Sequence, residues 1–240
     1  MTNRTYKVLN RSIGKALHQY RMISDGDRIA VGLSGGKDSL TLLWFLQDRL
    51  TRIPIRYQLF PIYIDPGFQG GFSDELAAFV SETGSSLRVE KTDYGILSHS
   101  EVNRENPCFL CSRLRRKRLF EIADELGCRK LALGHHKDDI IETLFMNMCY
   151  AGEISTMVPL QTLFQGRFTI IRPLALADED SIQRFSEELQ FPRFINPCPS
   201  AALSKRHEIK TLLNQLYRSN RKIKGNIFRS MSRVKPEYLL

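Results

Sequence analysis

Arg28-Ile-Ala-Val-Gly32-Leu33-Ser34-Gly35-Gly36-Lys37-Asp38-Ser39, followed by the apolar run at residues 40–46, reads as a buried strand, a phosphate-sized turn and the start of a helix. Two adjacent glycines allow positive φ and let successive N–H groups face a common concavity, while a helix beginning near Asp38 adds its unpaired N-terminal donors. Such a turn asks for an anion, and the phosphates of ATP fit it. Lys37 supplies a charge on a long stem, and the Ser34 and Ser39 hydroxyls supply short-range donors. The loop is not a Walker A sequence, which would need glycine at 31 and Ser or Thr at 38, where this chain has Val31 and Asp38. A carboxylate beside a phosphate nest repels the ligand unless a divalent cation lies between them, so Asp38 is expected to contact Mg2+. The bland alternative is a Gly-rich βα turn with a capping Asp.

Working outward, strand-like runs at 28–33, 57–64, 87–91 and 130–133 alternate with helix-like segments at 38–50, 72–84, 112–127 and 138–151. This alternation predicts an α/β fold, a Rossmann-like parallel sheet flanked by helices, with ligands at the C-terminal edge of the strands. A hairpin is expected around Gln165-Gly166 and another helix at 178–190. Ile64 and Asp65 close the second strand, where adenine or ribose would lie. Gly134-His135-His136-Lys137-Asp138-Asp139 ends the strand at 130–133. There Gly134 permits close approach of a nucleotide, and Asp139 caps the helix or meets a metal or phosphate. The paired histidines lack an H-x-x-x-H face and read as orienting groups.

Sulfur forms a third constellation. Asn106-Pro107-Cys108-Phe-Leu-Cys111 opens a helix, and Asn196-Pro197-Cys198 repeats its first three residues. The helix N-terminus and the arginines at 113, 115, 116 and 118 favour thiolate at Cys108 and Cys111. Cys128 and Cys149 read as ordinary buried cysteines. Three thiols leave open an iron–sulfur cluster, a zinc site completed by His or water, or a redox dithiol.

The chain has 240 residues and a net charge of +9. Residues 1–24 contribute +5 and residues 205–240 contribute +8, so the middle carries −4. Arg4, Lys7, Arg11 and Lys15 form one face of a helix, opposite a stripe of Val8, Leu9, Ile13, Ala16, Leu17 and Tyr20. Basic ends on an acidic body favour a polyanion such as RNA. Three segments follow: a basic N-terminal helix at 1–24, an ATP-binding domain that also carries the three thiols at 25–204, and a basic helical extension at 205–240. No apolar run approaches a membrane span, no signal peptide is recognisable, and a cytoplasmic location is expected. Five cysteines, an odd number, argue against a disulfide framework.

Ser34-Gly-Gly-Lys-Asp-Ser39 resembles the signature of the PP-loop (N-type) ATP pyrophosphatase superfamily. Cys108-Phe-Leu-Cys111-Ser-Arg-Leu-Arg-Arg116, Leu131-Ala-Leu-Gly-His-His-Lys-Asp-Asp139, Ile171-Arg-Pro-Leu174, Phe191-Pro192 and Cys198 resemble its tRNA 2-thiocytidine synthetase branch. The resemblance implies a [4Fe-4S] cluster on Cys108, Cys111 and Cys198. It also implies ATP-dependent adenylation of a tRNA cytidine, displacement of AMP by sulfide, and a homodimer. In that reading the nucleotide site comprises Gly32, Leu33, Ser34, Gly35, Gly36, Lys37, Asp38, Ser39, Ile64, Asp65, Gly134 and Asp139. Lys37, Asp38, Arg115 and Asp139 would serve the reaction, Arg115 or Arg116 by stabilising developing charge. The sulfur donor would be a cysteine desulfurase or free sulfide. Two departures stand out: a second cysteine usual near the third ligand is missing, and residues 93–105 fit the family pattern poorly. Alternatives are 2-thiouridine synthesis, a lysidine synthetase-like ligase, and a zinc-containing RNA-binding protein on a PP-loop scaffold.

Overall fold

In a computed structural model, which describes residues 4–200 and 205–238, a six-stranded sheet has the order β3-β2-β1-β4-β6-β5. Its strands are β1 (Asp27–Leu33), β2 (Tyr57–Asp65), β3 (Arg88–Lys91), β4 (Lys130–Leu133), β5 (Leu160–Leu163) and β6 (Phe168–Ile171). All neighbours run parallel except β5, which pairs antiparallel with β6. The expected hairpin is present, and its turn is a short 3-10 segment in which Gln165 takes φ +57. The chain passes from β1 outward to β2 and β3, then returns to β4 on the other side of β1. A crevice therefore forms beyond the carboxyl ends of β1 and β4, where such sheets bind ligands.

The helices are α1 (Arg4–Gln19), α2 (Lys37–Leu50), α3 (Ser73–Glu82), α4 (Tyr94–Ser98), α5 (Pro107–Glu125), α6 (Lys137–Met146), α7 (Glu179–Glu188), α8 (Lys205–Ser219) and α9 (Lys222–Ser230). The expected helix at 138–151 is α6 continued by a π-helical turn (Asn147–Ala151), and the helical tail is broken between α8 and α9. Helix α4 was not legible in the sequence, and α5 starts at Pro107, where the Asn106-Pro107-Cys108 motif puts a helix opening and five residues before the coarse range 112–127, because Asn106 caps it and Pro107 fills its first turn.

Compactness divides the chain differently from its charge. Residues 4–136 and 158–200 form one unit, and residues 137–157 and 205–238 form a second. Helix α1 belongs to the first because Leu9, Ile13 and Ala16 are fully buried and Tyr6 stacks on Phe45 at 5.6 Å. Val8, expected in the buried stripe, is instead exposed. Arg4, Lys7, Arg11 and Lys15 are exposed as expected. In the second unit, Ile141 on α6 packs with Ile209 and Leu213 on α8, flanked by Phe145, Tyr217 and Phe228. That cluster explains why α6 joins the basic tail instead of the sheet. Arg218, Arg221, Lys222, Arg229, Arg233 and Lys235 lie on its surface.

Candidate active site

The turn after β1 is held by its own hydrogen bonds. Ser34 N donates to Ser39 Oγ at 3.1 Å, Ser39 Oγ donates to the Gly36 carbonyl at 2.9 Å, and Gly36 N donates to Ser34 Oγ at 3.3 Å. Ser39 is thus a buried brace of the loop. Gly35 takes φ +76, and a Cβ there would stand 2.5 Å from the Phe72 ring, so only glycine fits. Gly36 is the N-cap of α2 with ordinary φ −77, so only one of the two glycines needs the left-handed region.

Lys37 Nζ lies 3.4 Å from Asp38 Oδ1 and 3.2 Å from Glu179 Oε1. Burial disfavours its charge, but the two carboxylates outweigh burial and hold its pKa above the usual lysine value. Glu179, in the first turn of α7, was not singled out in the sequence, and no motif there pointed to it. The buried His136 sits with Nε2 3.7 Å from Asp38 Oδ1, which fits the orienting role read for this pair. His135 Nδ1 accepts a long bond from Arg172 Nε at 3.4 Å. A cavity of about 840 Å³ opens beside the loop, lined by Gly35, Gly36, Lys37 and Asp38 on one wall and by residues 190–194 on another. Its volume suits a nucleotide.

Two glycines of the expected nucleotide site are also packing positions. The space a Cβ would need at Gly134 is taken by the backbone of Asp38 and Ser39, 3.0 Å away, so β4 and the start of α2 approach each other there. At Gly32 the corresponding space is filled by Leu133, 2.9 Å away. Ile64 is buried in the sheet. Asp65 ends β2, accepts from Gly67 N at 2.9 Å and from Ser73 Oγ, and lines a smaller cavity of about 260 Å³ with Phe68 and Lys91. Asp139 belongs to the second unit, where Arg206 Nη1 donates to its Oδ1 at 3.2 Å and to Glu142 Oε2 at 3.2 Å. The neighbouring Asp138 pairs with Lys224.

Cys108, Cys111 and Cys198 come together in the first unit, since each of Cys108 and Cys111 feels the charge of Cys198. Both Asn-Pro-Cys triplets fold alike. Cys108 N donates to Asn106 Oδ1 at 3.0 Å, and Cys198 N donates to Asn196 Oδ1 at 3.1 Å. The expected lowering of the thiol pKa values is not found. Burial, then the neighbouring thiols, push Cys108 and Cys111 up, and Arg115 offsets this only in part at Cys111. Cys128 is buried as expected and is pushed up to about 11 by desolvation, whereas Cys149 is exposed because the π-helical turn carries it to the surface. Among the described residues, no three Cys, His, Asp or Glu side chains are drawn into the compact group a single metal ion would need. The donor set nevertheless fits an iron–sulfur cluster: three soft thiols from two segments, with an arginine and no carboxylate among the charges acting on them.

Arg115 connects the two halves of the site. Its charge acts on Cys111 and also on Tyr63 near the end of β2, and its buried Nε has no hydrogen-bond partner in the protein. A buried, undonated guanidinium N–H is costly and suits an anionic ligand. Arg116 acts instead on the buried Arg172, whose pKa burial lowers to about 10.

Residues 5–215 match a family model described as a PP-loop domain. A tRNA-cytidine(32) 2-sulfurtransferase from Geobacter sulfurreducens is 39% identical over 99% of this chain and 94% of its own length, and one from Geotalea daltonii is 40% identical over 98% and 94%. The fold is similar to the U34-tRNA thiolase NcsA from Methanococcus maripaludis, solved with its [4Fe-4S] cluster: TM-score 0.79 at 28% identity over 98% of this chain and 80% of that one. An NH3-dependent NAD synthetase from Campylobacter jejuni shares the fold alone, with TM-score 0.54 at 12% identity. The chain belongs to the PP-loop domain family, on the branch of its tRNA-cytidine(32) 2-sulfurtransferase relatives.

Proposed function

We propose that this chain is an ATP-dependent tRNA sulfurtransferase that converts an anticodon-loop cytidine to 2-thiocytidine, with ATP cleaved to AMP and pyrophosphate. The observation that carries the reading is the buried, undonated Nε of Arg115, on the helix that also carries Cys108 and Cys111 and in the unit that holds the phosphate loop. The C2 oxygen of cytidine attacks the α-phosphorus of ATP and pyrophosphate leaves; sulfide then adds at C2, the C–O bond breaks, and AMP departs. The backbone of residues 34–36 and Lys37 hold the phosphates, and Asp38 holds a Mg2+ that screens its own charge from them. Arg115 stabilises charge developing on the activated oxygen or the α-phosphate. Cys108, Cys111 and Cys198 would hold the [4Fe-4S] cluster, and when bound it would supply a site for sulfide. Asp139 is assigned to the nucleotide by the family resemblance alone.

The basic face of α1 and the lysines and arginines of the tail suit the tRNA backbone. A cysteine desulfurase or free sulfide serves as donor, and the active species is a cytoplasmic homodimer. Among the described residues, no helix is long and apolar enough to cross a membrane. The likeness to NcsA favours a second acceptor, a tRNA uridine. Both are tested by digesting tRNA from cells with and without the gene and comparing thionucleosides by mass spectrometry. Loss of 2-thiocytidine alone supports the proposal, loss of 2-thiouridine alone supports the second reading, and persistence of both refutes each.

A further inference from the structure

The two Asn-Pro-Cys triplets share a turn but not a foundation. Pro107 and Cys108 start α5, which continues to Glu125. After Cys198, Pro199 lacks an N–H and no helix grows, so the loop at residues 191–198 has no helix or strand of its own. Its anchor is the C-cap of α4, within the stretch that fits the family pattern poorly. His99 Nδ1 lies 2.8 Å from the Gly95 carbonyl, so Nδ1 carries the proton and donates. In the neutral ring Nε2 then accepts from Ser200 Oγ, 2.7 Å away. Ser98, fully buried, donates to the Tyr94 carbonyl at 2.6 Å. Helix α4 is itself fixed, because Gly95 N donates to the Pro66 carbonyl at 2.8 Å and the Phe68 ring meets His99 edge-on at 5.5 Å.

We propose that His99 is a positioning residue for the thiol site: through Ser200 it fixes the loop carrying Cys198 against the C-terminal end of α4. The inference rests on the cluster reading above, but its geometry belongs to the protein alone. Without this tie the third ligand hangs on residues 191–198, which have no helix or strand of their own, and a cluster held by two helix-borne thiols and one loose one loses iron readily.

The test uses the full-length protein with His99→Ala, Ser200→Ala, the double variant and His99→Gln, whose amide can donate to Gly95 and accept from Ser200. In anaerobically reconstituted protein, iron and acid-labile sulfide are assayed per chain, together with loss of the cluster absorbance in air. In the metal-free, reduced chain, the rate of Cys198 alkylation is read by peptide mass spectrometry. Cluster loss in both single Ala variants is expected on the order of tenfold faster. Cys198 alkylation should be faster as well, with the double variant no worse than either single, His99→Gln near the parent, and ATP affinity unchanged. Parental iron retention and alkylation in His99→Ala, or multiplying effects in the double variant, overturn the proposal. If His99→Ala does not fold, Ser200→Ala and His99→Gln decide by the same two readouts. If the parent takes up no iron, the cluster reading fails, while the alkylation rates still decide the role of His99.

Discussion

The loop at residues 34–39 closes on itself, with each serine bonded inside the turn and Gly35 wedged against Phe72, so its donors are in place before any anion arrives. The thiol group is the opposite case. Its members come from a helix start and a loop, and burial and mutual repulsion oppose their ionisation, with Arg115 as a partial offset at Cys111. One site is preorganised by backbone geometry. Under the proposed reading the other would gain its charge balance from a bound iron–sulfur cluster, because metal binding drives the protons off thiols. The difference teaches where each half of the chemistry is vulnerable: the loop to steric change, the thiols to loss of a single ligand.

The largest expected effect separates the two halves outright. Cys111→Ser or Cys198→Ala should reduce retained iron to background and abolish 2-thiocytidine, while ATP affinity, measured by calorimetry, stays at the parental value. A fall of ATP affinity in step with iron would show that the two sites are one cooperative structure and would break the contrast.

Gly35→Ala is the mirror experiment. It forces a Cβ to within 2.5 Å of Phe72 at a φ of +76, and strain of this kind costs about 1–3 kcal/mol. ATP should bind roughly ten- to a hundredfold more weakly if that strain is relieved by moving the loop. Iron content should not change. Parental ATP affinity in a folded Gly35→Ala protein would mean that the loop is not the phosphate site.

Glu179→Gln has a subtler effect with a definite sign. Burial lowers the Lys37 pKa and Asp38 and Glu179 raise it, the sum lying above the usual value. The cationic form therefore persists above the ordinary lysine range in the parent and is lost only as pH rises through that elevated value. Removing the Glu179 charge should move the alkaline loss of ATP affinity to lower pH, with little change at neutrality. An unmoved alkaline limb would remove Glu179 from the site.

Much of this was legible in advance because it is local. Strand-turn-helix at 28–46 follows from a run of apolar residues broken by Gly35 and Gly36, and β1 and α2 stand within a residue of where the pattern puts them. The pairing of Cys108 and Cys111 follows from helical spacing, and the family resemblance pointed to Cys198. What was not legible depends on which surfaces meet. Gly134 was expected beside a ligand, and its close approach to the backbone of α2 was not foreseen. Glu179 lies 142 positions from Lys37, and no periodicity connects them. Cys149 sits in an apolar run that predicts burial, but a π-helical turn changes the helical phase and brings it to the surface. Thiol ionisation was misread because the positive charges nearby are visible in sequence, whereas burial and the other thiols are properties of the fold.

The smallest expected effect comes from the residue that both halves share. Arg115 lowers the Cys111 pKa against burial and the two neighbouring thiols, and it likewise opposes the rise of the Tyr63 pKa to about 12. Arg115→Gln keeps much of the side chain's bulk and removes the charge, so at pH 8 the metal-free chain should hold less Cys111 thiolate. For a half-buried, partly screened pair the change is about 1 kcal/mol or less, which is a factor of up to about five in alkylation rate. Cys128, which Arg115 does not reach, serves as the internal control. A slower Cys111 together with unchanged ATP affinity would mean that Arg115 serves the sulfur half before substrate arrives. If ATP affinity falls as well, its undonated Nε is already directed at phosphate, and the contrast between a finished loop and an unfinished thiol site ends at this side chain.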